Sequence, residues 1–563
     1  MKKKREIRRR ELELKELEAI LVRCKGALTP DDHQKLKAAV GTLVFLTQEL
    51  ETKGTSIERL RRLLFGPRTE KTSRIVGEAQ DVADQDVVDQ SAADQSADSL
   101  AGAAAEPDGP LAGGQPKQKR PGHGRNGVAA YRGAQKVPVS HGSLGHGDGC
   151  PACALGKVYR QAEPATLVRV MGMAPLSASV YELERFRCNA CGGVFTAEAP
   201  AGVGGPKYDE TAAAMIGLLK YGAGIPFHRL EKLEGSLGIP LPAATQWEVV
   251  AGAAGTLGPA HEELIRQAAQ GEVVYNDDTT MKILQMMPSE PEPGTKERTG
   301  IFTSGIVSTA DGQKVALFFT GRRHAGENLE QVLKQRAREL APAIQMCDAL
   351  SRNTSGEFET IVAHCLAHGR RQFVEVAANF PGECRHVLET LRDVYRNDAL
   401  ARERKLSAAE RLAFHQEQSG PLMAGLETWF GEQIEQQRVE PNSGLGAAIT
   451  YMRKHWPRLT LFLRQAGAPL DNNACERALK KAILHRKNAM FYKTENGARV
   501  GDLFMSLIHT AELNHANPFD YLVSLQRHAR QMAQDPSAWM PWNYQTALAQ
   551  IIPRATVGPS PPG

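Results

Sequence analysis

The chain has 563 residues, 42% of them hydrophobic and 24% charged, with a formal net charge of +5. That composition is ordinary for a globular protein and large enough for several cores. It has no run of about 18 apolar residues, which excludes a membrane-spanning helix, and its basic N-terminus lacks the apolar centre of a secretory signal.

Residues 1–74 predict a helical, self-associating segment. Leu14, Leu17 and Leu21 lie at heptad spacing. Beyond Pro30, Leu36, Val40, Leu43, Leu50, Ile57 and Leu64 continue a seam near 3.5 residues. Thr47, Gly54 and Arg61 interrupt it, so the coiled coil would be short. Arg61, Arg62, Arg68, Lys71 and Arg74 close the segment as a basic cluster suited to phosphates. Residues 75–127 predict a disordered acidic linker: no Lys or Arg occurs before residue 117, and a basic Pro/Gly-rich turn ends the stretch.

Residues 128–200 carry two CxxC knuckles, Cys150 with Cys153 and Cys188 with Cys191. Four thiolates from two tight turns form the tetrahedral cage that zinc favours, and they leave no open coordination position. The expected ion is therefore structural Zn2+. The other five cysteines are scattered singly, which suits a reducing cytoplasm better than a disulfide framework. Residues 201–270 predict three helices with a helix-turn-helix outline.

From residue 271 the pattern becomes β-rich. Three strand-like runs, a helix over ENLEQVLKQRARELA, a strand over PAIQMC and a strand-then-helix over IVAHCLAHGRRQFVEVAA follow in order. That order predicts an RNase H-like α/β catalytic domain, with residues 271–375 as its first part and 466–530 as its second. A polar helical insertion over 376–465 separates them, and 531–563 predicts an irregular tail. In such a fold Asp277 at the end of the first strand, Asp348 after the fourth and Glu476 on a late helix would converge. Hard divalent ions need such oxygen ligands, so the expected catalytic cofactor is Mg2+ or Mn2+. Asp278 would support Asp277.

LDNNACERALKKAILHRKN carries the densest signal. Read as a helix from about Asn473, it places Asn473, Glu476 and Lys480 on one face. A lone carboxylate in a basic surface suits a metal site beside a polyanion. Asn473 and Glu476 also fit a capping box, and the stretch by itself leaves both readings open. Arg477, Lys480, Lys481, Arg486, Lys487 and Asn488, with Arg370 and Arg371, are the candidate DNA contacts. Asn472, Asn473 and His368 are candidate supports for the acids.

These motifs resemble the large transposases of the insertion sequence 66 family, DDE enzymes, over nearly the whole chain. The resemblance rests on LFGPRTEK, GHGR, the paired CxxC, DDTT after a strand, AHCLAHGRRQF, DNNACER and the closing SLIHTAELNHANPFDYL. It implies metal-dependent DNA cutting and joining with Asp277, Asp348 and Glu476 as the triad. The family usually reads Asp-Glu-Thr-Pro where this chain has Asp277-Asp278-Thr279-Thr280. The implied partners are double-stranded DNA at element ends and target, a second copy or more on paired ends, and accessory proteins of the same element. The implied place is the bacterial cytoplasm at the nucleoid, with no membrane. Two rival functions remain at this point: a catalytically inactive DNA-binding regulator, and an RNase H-like nuclease without strand transfer.

Overall fold

The computed structural model describes residues 138–152, 155–161, 174–187, 194–287, 300–354, 356 and 358–551, with Arg23, His33, Gln34 and Leu36. The expected coiled coil and acidic linker lie outside the described residues, as do Cys153, Cys188 and Cys191. Two compact units result. One takes in Lys207–Phe227 and the chain from Ala244 onward; the other draws on Val82–Pro206 and on His228–Ala243.

In the second unit, β1 (Arg185–Arg187) pairs antiparallel with β2 (Val194–Thr196). The N–H of the first knuckle cysteine, Cys150, donates to the Gly156 carbonyl at 2.8 Å. Of the three expected helices after residue 201, α1 (Glu210–Gly217) and α3 (Ala243–Ala269) lie essentially in the first unit and α2 (Phe227–Ser236) essentially in the second.

The first unit is built on a five-stranded mixed sheet, ordered β5-β4-β3-β6-β7. Strands β3 (Val273–Thr280), β4 (Phe302–Ala310) and β5 (Gln313–Gly321) are antiparallel neighbours. The short strands β6 (Ile344–Cys347) and β7 (Ile361–His364) run parallel to β3. Every residue of β6 is buried, as expected of a parallel strand covered on both faces. Asp311 and Gly312 turn β4 into β5 with φ of 49° and 78°, the pattern of a two-residue type I′ hairpin. Between β5 and β6 lies α4 (Ala325–Leu333), shorter than the expected helix because the chain turns after Leu333.

Strand β3 runs to Thr280 rather than stopping at Asn276. Its polar end is carried by pairing, with Asp277 opposite Gly305 and Thr280 opposite Phe302. The outer edge of β5 is also satisfied. Asp502, Ser506, Thr510 and Asn514 of α11 (Glu495–Leu513) and its C-cap bond the backbone N–H groups of Thr320, Phe318, Ala316 and Lys314 in turn. Four helical residues rise about 6 Å and two strand residues about 6.8 Å, so the two rows stay in step. The row blunts an edge that would otherwise template further strands.

The expected insertion is helical: α6 (Pro381–Glu403), α7 (Ala408–Gln418), α8 (Gly420–Glu435) and α9 (Gly444–Leu459). It shares one apolar core with the sheet. Met346 and Ala363 pack in a cluster with Phe373 of α5 (Leu366–Val376) and with Leu388, Phe430 and Met452 of the insertion. The residues after 531 are not irregular throughout. They form α13 (Ala529–Gln534) after α12 (Pro518–Arg527), and then α14 (Tyr544–Ile551). The Tyr521 hydroxyl donates to the Trp539 carbonyl at 3.0 Å, and Trp539 and Tyr544 are buried. Among the described residues no helix is long and apolar enough to cross a membrane.

Candidate active site

The DNNACER stretch forms α10 (Asn473–Ala489), laid across β3 and β4 with Cys475, Ala478, Leu479 and Ala482 buried. Gly305 makes this close approach possible. A Cβ there would lie 2.9 Å from Leu479 and 3.3 Å from the Cys475 sulfur, and the Cys475 thiol donates to the Gly305 carbonyl at 3.2 Å. Gly305→Val should therefore lower stability by about 1–3 kcal/mol through overpacking and lift α10 away from the strand partner of Asp277. Thermal unfolding and cleavage assays read the two effects separately.

The helix starts at Asn472 as N-cap, which makes no side-chain capping bond. Asn473 instead donates its side-chain amide to Asp471 at 2.8 Å. The capping box is thus not formed, and Glu476 is not held as a cap acid. Asn472 is buried; its amide donates to the Asn276 carbonyl at 3.1 Å and so ties the helix start to β3.

Asp277 and Asp348 meet through a residue that no sequence pattern marked. The Asn353 amide donates to Asp348 Oδ1 at 2.6 Å and to Asp277 Oδ1 at 3.3 Å. Asn353 is buried in a single 3-10 turn, Ser351–Asn353. Its carbonyl accepts from the Asn276 and Gln345 amides, both at 2.7 Å, and Gln345 also donates to Asn276 at 3.0 Å. Two buried amides, Asn276 and Gln345, therefore fix where the bridging one points. Burial pushes the Asp277 carboxyl up to about 7 against the opposing Asp278 N–H; the negative charges of Asp348, Glu476 and Asp278 add to the rise. Asn353→Ala should reduce metal-dependent cleavage about 10–100-fold, as loss of outer-shell support does, with DNA binding retained.

Asp278, next on the strand, points to the opposite face. Its side chain is 2% exposed and accepts from Ser304 Oγ at 2.7 Å and the Ala325 N–H at 3.1 Å, with His324 Nδ1 at 2.9 Å. It secures the start of α4.

His368 Nδ1 stands 3.8 Å from Glu476 Oε1. Arg370 and Arg371 follow on α5, both half-buried. Arg477, Lys480 and Lys487 are exposed, and no ion pair involves them among the described residues. Three other candidate DNA contacts are engaged inside the protein. Lys481 pairs with Glu512 at 2.9 Å, the Arg486 guanidinium bonds Thr279 Oγ1 at 3.0 Å and the Thr280 carbonyl, and Asn488 donates to the Gly224 carbonyl at 3.1 Å. These three fasten α10 rather than present charge. His485, part of the same basic run in the sequence, is buried and stacked between Tyr492 and Tyr221.

In this mixed α/β domain Asp277 of the central strand and Asp348 after its parallel neighbour share one amide donor, and Glu476 lies at the start of the helix that crosses the sheet. The chain belongs to the IS66 transposase family, whose sequence model, described as "Transposase IS66 family", matches residues 207–500. Three proteins of Sinorhizobium fredii are similar to it. Uncharacterized protein y4jD is 26% identical over 70% of this chain and 78% of its own length. Uncharacterized protein y4hP is 26% identical over 72% and 74%, and uncharacterized protein y4qI 27% identical over 60% and 62%. Membership in a transposase family implies DNA as the partner and, for transposases of the DDE type, a divalent metal.

Proposed function

We propose that the chain is a DNA transposase that binds the ends of its mobile element and catalyses strand cleavage and strand transfer in an RNase H-like domain formed by residues 271–375 and 466–530. The observation that carries this reading is the Asn353 bridge between Asp277 and Asp348, with Glu476 close enough for its charge to act on Asp277. The sheet order supports it: three antiparallel strands followed by two parallel ones on the other side of the first strand.

The donor set fits magnesium or manganese. Asp277, Asp348 and Glu476 offer carboxylate oxygens only, and their mutual repulsion is what a divalent cation would relieve. Held there, the ion would supply Lewis-acid activation of the attacking oxygen and charge neutralisation at the leaving one. Water cuts the strand at the element end and leaves a 3′-hydroxyl; that hydroxyl then displaces a phosphodiester oxygen in the target. Asn353 keeps the two aspartates in register, and Arg477, Lys480 and Lys487 contact backbone phosphates beside them. Lys480→Ala and Lys487→Ala should each weaken DNA binding uniformly across sequences and reduce the salt slope by about one, as a salt titration of binding would record.

The paired CxxC cysteines hold a structural zinc, residues 1–74 bring two copies together on paired ends, and the reaction takes place on nucleoid DNA in the cytoplasm. The deciding assay uses the element's own ends with magnesium, manganese or EDTA. Cleavage and joining with either metal and neither with EDTA is the expected result. Cleavage without joining or end preference favours the nuclease, and end binding without any cleavage favours the inactive regulator.

A further inference from the structure

Cys365, His368 and Glu476 bring a thiol sulfur, an imidazole nitrogen and a carboxylate oxygen within 4.8 Å of one another. Cys365 is the N-cap of α5, directly after β7, and His368 lies three residues on. That spacing puts both side chains on one side of the helix start, and Glu476 arrives from α10. His368 Nδ1 is buried with no hydrogen-bond partner. Its 3.8 Å separation from Glu476 Oε1 is too long for a hydrogen bond. The Cys365 sulfur accepts the Asn472 N–H at 3.2 Å; burial pushes its thiol up to about 12, so the arriving metal itself has to displace the proton.

We propose that these three side chains form a second cation site, for a soft or borderline divalent ion such as zinc, sharing Glu476 with the all-oxygen centre. Sulfur, imidazole and carboxylate together are a donor set that zinc accepts and magnesium does not. Zinc–ligand bonds of about 2.0–2.3 Å require the donors to close to roughly 3.5 Å of each other. His368 and Glu476 side chains are 26% and 32% exposed and can rotate to make that closure, which leaves the solvent side for water as fourth ligand. On binding, the sulfur–metal bond replaces the S–H bond and the Cys365 proton passes to solvent. One consequence rests on the catalytic reading above: zinc here removes Glu476 from the magnesium site and inhibits cleavage.

The test counts cadmium, a thiolate-seeking stand-in for zinc, bound to the full-length chain by equilibrium dialysis in excess magnesium. Wild type, Cys365→Ser and His368→Ala share the same CxxC knuckles, so only differences between them matter. Wild type should bind one equivalent more than either variant and show a stronger thiolate-to-cadmium absorption than Cys365→Ser. Equal stoichiometry in all three overturns the proposal. If Cys365→Ser does not fold, the partly exposed His368→Ala decides alone. Zinc inhibition of nicking is measured separately: a chain that nicks under no condition refutes the catalytic reading and leaves the cadmium count standing.

Discussion

Glu476→Gln is expected to abolish strand cleavage and joining while leaving binding to element ends intact. The substitution keeps the shape of the side chain and removes its charge. Helix α10 is held by Cys475, Ala478, Leu479 and Ala482 on its buried side and by Lys481, Arg486 and Asn488 at its flanks. None of these contacts involves Glu476, so the helix should stay in place. Loss of an outer-shell partner of a metal ligand typically costs 10–100-fold. Loss of a ligand itself should therefore exceed about 100-fold in nicking rate. The exposed cations Arg477, Lys480 and Lys487 remain, so the affinity for DNA and its salt dependence should not fall. Nicking at wild-type rate by Glu476→Gln would remove Glu476 from the catalytic centre; loss of binding along with cleavage would point to a folding defect instead.

The sheet was legible because its strands are rich in β-branched and apolar residues between turn signals, as in VVYN, IFTSGIVST and KVALFF. The start of α10 was legible to within one residue from the run Asp471-Asn472-Asn473. The run alone left a capping box of Asn473 and Glu476 open; the structure does not form it, because Asn473 turns back to Asp471 instead of onto the helix. Asn353 gave no signal. It lies in one 3-10 turn without periodicity, and its importance comes from partners on β3 and β6. His485 sits inside the basic run of the sequence, but aromatic neighbours supplied by other elements bury it. The polar row Asp502, Ser506, Thr510 and Asn514 has the four-residue period of a solvated helix face, but it covers the edge of β5. For the helices and strands a local pattern marked the element; for Asn353, His485 and the polar row a distant partner decides what the side chain does.

Asp398→Ala is expected to destabilise the protein by about 3 kcal/mol, the low end of the cost of breaking a buried ion pair. Asp398 lies in the insertion with its carboxylate buried. It accepts from Arg402 and from Arg411 at 2.6 Å, and His415 Nε2 stands at 3.3 Å. Without it, Arg411, 23% exposed, and the buried His415 keep their desolvation and lose their acceptor; Arg402, 66% exposed, can turn to water, which argues for the low end. Burial alone would raise the Asp398 carboxyl, but the His415 hydrogen bond and the two arginine charges outweigh it and hold the group well below its ordinary 3.8. A carboxyl depressed on folding contributes stability that is complete above its unfolded value and is lost as pH falls below it. The gap in unfolding temperature between wild type and Asp398→Ala should accordingly be widest near neutrality and narrow below about pH 4. Calorimetric scans across that range read it directly, and a gap that is absent at neutral pH or grows with acid would overturn the assignment. Because the insertion shares its core with β6, which leads into Asp348, the proposed function has the variant lose cleavage activity at temperatures where DNA binding persists.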